Sequence, residues 1–325
     1  MNARFLKTEV SPEIMISLHG KNSESSFWIS QTTNSGTVEG KIFFPDKESD
    51  KLVIFEPGFP GGGSTQFEAI WLSKLLDKGY AVFLVRHNGT LIQGKYSANY
   101  LNSPERQELD KERGFGVIGS KKDNTLKDWL NEPLVALEIF TPHLSNVILC
   151  GHSFGPLALF HSLIEFAKKE PELTKKISRV VSLSGSIGKI RSKIDPILTI
   201  WFDHLKTEWA RERVEIGDAQ ISTDIFEAAH IKINKEARII PKHIEFLAVS
   251  SWGDSLDSTD EIVSPIESID FINSLGRGYL ILDKRERGDK KLGRMAHDME
   301  ALTSQEILNF VSDSWLPASQ ISEIV

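Results

Sequence analysis

The apolar run Val147-Ile148-Leu149-Cys150, followed at once by Gly151-His152-Ser153-Phe154-Gly155, constrains this chain more than any other stretch. Four apolar residues suit a buried strand, and Pro156 to Ile164 continues with apolar residues at helical spacing. The five residues between them must therefore reverse the chain in one sharp turn. A serine at the apex of such a turn takes a strained backbone conformation, and glycines two positions before and after it remove Cβ atoms that would keep strand and helix apart. Ser153 is then a candidate nucleophile, and Cys150, in the strand before it, a buried structural thiol.

A turn of this kind needs a sheet to carry it. Residues 27–44 read as an antiparallel hairpin across a Thr/Asn/Ser/Gly-rich turn, and short apolar strands follow at Lys51–Phe55, Ala81–Val85, 147–150, Val180–Leu183, Glu245–Val249 and Tyr279–Leu282, the last of them closing the sheet. Helical patterns lie between them. One runs from Gln66 to Lys78 and stops at Gly79, another covers about 125–140, and a closing helix spans about 298–313. A long loop, 88–120, carries Gly, Ser and Asn. Strands alternating with helices imply an α/β fold with a mostly parallel sheet covered on both faces, opened by the antiparallel hairpin.

One stretch breaks the alternation. In residues 189–241, Trp201, Phe202, Leu205 and Trp209 share a helical stripe, as do Ile225, Phe226, Ala229 and Ile233. This is expected to be an inserted helical cap, leaving 1–188 and 242–325 as the core domain. Such an insert can roof a pocket over the carboxyl edge of the sheet, where open α/β folds bind ligands.

Composition narrows the partners. A formal charge of −7 gives no general attraction to nucleic acid, and no run of about 18 apolar residues offers a membrane span. A lone cysteine excludes an intramolecular disulfide and a cysteine-based metal cluster. The N-terminus lacks the apolar core of a secretory signal, so a cytoplasmic location is expected. No metal or cofactor is implied, and the oligomeric state is open.

A serine hydroxyl needs a base, usually a histidine, and nine histidines compete. Only His297, just ahead of the closing helix, lies beyond the Tyr279–Leu282 strand. An acid that orients its ring is expected after the strand 245–249, where Asp254, Asp257, Asp260 and Glu261 stand close together. Asp260 precedes Ile262-Val263-x-Pro265, an apolar pair that would anchor the loop and leave the carboxylate facing the site. Asp254 and Asp257, nearer the strand end, remain alternatives. Two backbone N–H groups would hold a developing oxyanion: Phe154, after the serine, and Phe59, in the Gly- and Pro-rich loop Glu56 to Ser64. That loop lacks the Lys-Ser/Thr ending of a phosphate-binding loop. His87, after the second parallel strand, is a structural loop histidine or a substrate contact, and His152, beside the serine, is a candidate substrate contact. A run of six basic residues, Lys284, Arg285, Arg287, Lys290, Lys291 and Arg294, precedes His297, where it could draw an anionic group or remain a solvated loop.

Together these pieces resemble the α/β-hydrolase superfamily of serine esterases, lipases and peptidases over about residues 37–315. Pro57-Gly58-Phe59-Pro60-Gly61 is similar to its His-Gly-Phe-Pro loop, Lys78-Gly79-Tyr80-Ala81-Val82 to its Gly-Tyr-x-Val strand entry, and Gly151-His152-Ser153-Phe154-Gly155, Asp260-Glu261-Ile262-Val263 and His297 to its catalytic positions. The resemblance implies a Ser153–Asp260–His297 triad acting on a carboxylic ester of a small molecule through an acyl-enzyme. Amide cleavage, acyl transfer to an acceptor, and ligand binding without turnover are rival readings. Two departures stand out. Pro57 replaces the usual His, and Val85-Arg86-His87-Asn88-Gly89-Thr90 replaces the frequent Asp-x-Arg-Gly.

Overall fold

Apolar residues occupy both faces of nearly every inner strand, so the sheet has to be covered on both sides. The computed structural model describes residues 26–61, 67, 71–87, 125–211, 214, 217–253, 259–284, 296–297, 305–312, 316–317 and 319–324. Nine strands form one sheet: β1 (Ser26–Thr33), β2 (Gly36–Phe43), β3 (Lys51–Glu56), β4 (Ala81–Arg86), β5 (Asn146–His152), β6 (Ile177–Leu183), β7 (Glu245–Ser251), β8 (Tyr279–Asp283) and β9 (Ile321–Ile324). Their spatial order is β1-β2-β4-β3-β5-β6-β7-β8-β9. The hairpin β1–β2 is antiparallel and joins β4 antiparallel; every other pair is parallel. The order turns back at β3, so β3 and β5 sit side by side and the loops leaving their carboxyl ends share one crevice.

The period-two pattern of β3 assigns its faces. Leu52 and Ile54 pack with the helices α2 (Thr125–Phe140) and α3 (Gly155–Lys169), which cross one side of the sheet. Val53 and Phe55 meet Phe67, Trp71 and Leu75 on the other side, where α1 (Ser73–Asp77) and the final helix α7 (Gln305–Val311) lie. Between β6 and β7 the chain forms α4 (Pro196–Lys206), a short turn of helix at Glu208–Arg211 and α5 (Ala219–Glu236), which packs on α3. Asp195 and Asp218 cap α4 and α5, each accepting from backbone N–H groups of the first turn. The helix α6 (Pro265–Leu275) leads to β8 and ends at Gly276, in the left-handed region.

The expected strands and their parallel character match this sheet, with one correction. Tyr279–Leu282 does not close it, because β9 adds in parallel beyond β8. Ile321-Ser322-Glu323-Ile324 is too short to stand out by its pattern, and Ile321 is exposed at the edge. Gly79 does stop the helix before β4, at φ +82°. The 88–120 loop and residues 298–304 of the anticipated closing helix lie outside the described residues. Among those described, no helix is long and apolar enough to cross a membrane.

Candidate active site

Strand β5 ends in the turn that carries Ser153, whose φ of +56° lies in the left-handed region that few side chains adopt. Ser153 N–H donates to Leu183 O and Ser186 N–H to Ser153 O, both at 2.9 Å, so β6 pins the turn from the side. The two glycines have distinct duties. A Cβ on Gly151 would lie 2.9 Å from atoms of Gly155, Pro156 and Leu159, its own helix. A Cβ on Gly155 would lie 2.1 Å from Glu56 O, the carboxyl end of β3. The loop after β3 is equally close, since a Cβ on Gly58 would stand 2.6 Å from Ser153 Cβ.

His297 reaches this turn from beyond β8. Its Nε2 is 2.8 Å from Ser153 Oγ, and its Nδ1 is 3.0 Å from both Asp260 oxygens. A carboxylate only accepts, so Nδ1 carries the hydrogen and Nε2 is left to accept from the serine hydroxyl. Two bonds steady the backbone around the imidazole: Ser251 Oγ donates to Ala296 O at 2.8 Å, and His152 Nε2–H donates to His297 O at 2.7 Å. Asp260 is buried. Burial alone would raise its carboxyl, but the His297 ring and the Val263 N–H hold it below the usual carboxylate range. Ile262 and Val263 N–H both donate to Asp260 Oδ1, at 2.9 and 2.8 Å. Burial, and then the His297 ring, lower His152 to about 3, so it stays neutral.

Ser153 and His297 open on a cavity of about 550 Å³. Its walls are mainly apolar, with Phe59, Ile197, Ile200, Trp201, Trp209 and Phe226 contributed by the β3 loop and the helices between β6 and β7. Polar groups are few: His152, Ser186 and His204. Phe59 and Phe154, the anticipated oxyanion donors, both border this space beside Ser153.

The structure therefore brings Ser153, Asp260, His297, Phe59, Phe154 and His152 to one place. His87 is a correction. It is fully buried and does not border the cavity; its ring is stacked on Trp129, with Nδ1 2.7 Å from Glu132 Oε2 and Nε2 2.9 Å from Pro57 O. Its position after a strand at the active edge suggested substrate contact, but α2 covers that strand end. Asp254, Asp257 and the basic residues from Arg285 to Arg294 lie outside the described residues, and Lys284 pairs with Glu323 of β9 at 2.9 Å. Sequence reading missed Ser186, whose Oγ donates to His230 Nε2 at 3.1 Å, because nothing in Gly185-Ser186-Ile187 signals a cavity wall.

No protein-family model matches the sequence, and no curated protein matches it. Similarity appears in solved structures. A carboxyl esterase from Bacillus coagulans, crystallised with glycerol, superposes with a TM-score of 0.53 at 13% identity, over 89% of this chain and 98% of its own. An esterase from Exiguobacterium antarcticum gives 0.52 at 11% identity, over 88% and 96%. The alpha/beta hydrolase GrgF from Penicillium sp. sh18 gives 0.50 at 14% identity, over 89% and 97%. At these identities the likeness is one of fold.

Proposed function

We propose that this chain, which has the α/β-hydrolase fold, is a serine hydrolase that cleaves a carboxylic ester of a small apolar molecule. The observation that carries this reading is the unbroken hydrogen-bond line from Ser153 Oγ through the His297 ring to the Asp260 carboxylate. Ser153 attacks the ester carbonyl while His297 Nε2 takes its proton. The Asp260 carboxylate, ionised at neutral pH, stabilises the imidazolium that forms. Phe59 and Phe154 N–H groups receive the oxyanion. The imidazolium then protonates the departing alcohol, leaving an acyl-Ser153 that water cleaves by the same steps in reverse order of bonds.

The cavity supports a neutral, largely hydrocarbon substrate. Its size suits a ligand of modest dimensions, and no Lys or Arg borders it among the described residues. We read residues 189–241 as the cap domain on a core of 1–188 and 242–325, because α4 and α5 supply much of the wall facing Ser153. The protein is proposed to act without a metal or cofactor.

A fluorophosphonate probe and a panel of aryl esters test the reading. Wild type is expected to label at Ser153 and to turn over short apolar esters, and Ser153→Ala to lose both, with kcat down by about 10⁴-fold or more. A folded wild type that fails to label would replace hydrolysis with ligand binding. Faster cleavage of matched arylamides than of esters would move the assignment to an amidase.

A further inference from the structure

Two peptide planes, Pro57–Gly58 and Gly58–Phe59, lead from Pro57 to the Phe59 N–H just past the end of β3. The second is held by the turn itself: Gly61 N–H donates to Gly58 O at 2.7 Å, and Gly58 C=O belongs to the same planar unit as Phe59 N–H. The first, Pro57–Gly58, is held from outside the loop. Its carbonyl accepts from His87 Nε2–H at 2.9 Å. Proline offers no side-chain donor and no N–H, so residue 57 cannot brace the loop by its own groups.

The bracing ring is itself fixed on three sides. Its face lies on Trp129, with centroids 4.0 Å apart and 11° between planes. Nδ1 is 2.7 Å from Glu132 Oε2, on α2, and 3.4 Å from Glu56 Oε1, at the end of β3. Nε2 faces a carbonyl and must carry a hydrogen, and Nδ1 faces the Glu132 carboxylate. All three titratable residues are fully buried. They also offer three ligand atoms within 4.8 Å of one another. A divalent ion on Nδ1, however, would have to displace the Glu132 bond that orients the ring.

We propose that His87 is a positioning residue for the oxyanion-binding loop. The support runs from Glu132 on α2, through the imidazole, to Pro57 O and the peptide beyond it, and replaces a brace that the loop cannot make at Pro57. This rests on the reading of Ser153 and the Phe59 N–H as reacting groups. Oxyanion donors act on the transition state and little on bound substrate, so a loop displaced by a fraction of an ångström lowers kcat and leaves KM.

Steady-state kinetics on one aryl ester test this with three variants. His87→Phe keeps the stack on Trp129 and removes the donor; it should lower kcat by roughly 10- to 100-fold with KM within about threefold. His87→Gln restores a donor toward Pro57 O and should recover most of that loss. Affinity for a trifluoromethyl ketone, which places an oxyanion in the site, should fall by the same factor as kcat. A wild-type kcat in folded His87→Phe, or a loss confined to KM, overturns the proposal. Where His87→Phe does not fold, Glu132→Leu carries the test, with about a tenfold drop in kcat at unchanged KM expected and an unchanged kcat overturning it. One equivalent of divalent metal in purified wild type, absent from His87→Gln, would also overturn it in favour of a metal site. Failure of wild type to label with fluorophosphonate removes the Ser153 reading itself. A labelled, active wild type with insensitive variants removes only the brace.

Discussion

At the scale of single residues, the site depends on atoms that are missing. Gly155 has an ordinary φ, yet a Cβ there would lie 2.1 Å from Glu56 O and 3.1 Å from Pro57 O, backbone atoms that cannot rotate aside. Gly276 is the opposite case: its φ is +69°, and a Cβ would meet nothing within 4 Å. Gly155→Ala should therefore cost on the order of 3 kcal/mol in denaturant unfolding and abolish ester turnover, because it pushes the β3 loop away from Ser153. Gly276→Ala should cost about 1 kcal/mol and leave activity intact. Equal costs would contradict the contact argument. The sequence announced that glycines flank Ser153, and Gly151 does face its own helix as local pattern implies. What Gly155 faces was not legible, since its contact belongs to a strand about 100 residues earlier in the chain.

Elements decide how the cavity is walled. Phe154, from the turn, stacks with Trp201 of α4 at 5.8 Å, and Trp201 with Phe226 of α5 at 4.6 Å and 5°. The helices between β6 and β7 are thereby joined to the residue next to Ser153. The stripes of Trp201 and Phe226 were readable at helical spacing, but periodicity identifies an apolar face without saying whether protein or ligand covers it. Here both do. Trp201 is buried at 8% exposure and also borders the cavity, whereas Trp209 borders it at 42% exposure. The two should separate on mutation. Trp201→Ala should lower stability by about 3–5 kcal/mol. Trp209→Ala should cost clearly less, since 42% of its surface stays in water in the folded chain. Trp209→Ala should then widen the ester range toward bulkier groups in a substrate panel, with a smaller drop in the unfolding midpoint than Trp201→Ala. A large stability loss in Trp209→Ala would mean that the short helix Glu208–Arg211 is held by that ring.

Across the whole molecule, buried titratable groups set opposing pH dependences. His152 is lowered to about 3, and His161 and His230 each to about 4, with burial the first cause in every case. Their unfolded values lie near 6.5, so below that pH the unfolded chain binds protons that the native state refuses. Their contribution is present above about 6.5 and is lost as pH falls through 4. Two carboxyls act in the other sense. Burial raises Glu267 to about 7, and burial together with the Glu132 carboxylate raises Glu56 well above its ordinary value. These hold protons that the unfolded chain releases above about 4.5, so their contribution is present below that pH and lost as pH rises through about 7 for Glu267. Between 6.5 and 4.5, three histidines outweigh the raised carboxyls; below 4.5 Asp260, held below its ordinary value, joins the histidines, and above 6.5 Glu267 sets the decline. None of this was visible in sequence, where a histidine in Gly-His-Ser-Phe-Gly and one on a surface loop are the same letter, and burial depends on which helices cover them. Tm should accordingly peak near pH 6.5, fall gently to 4.5 and steeply below it. His230→Asn should flatten the acid limb by removing one of the three, while Glu267→Gln should flatten the decline between 6.5 and 7.5. A Tm that climbs steadily from pH 7 to 5 would show that the carboxyls, and not the histidines, dominate the protonation balance of this fold.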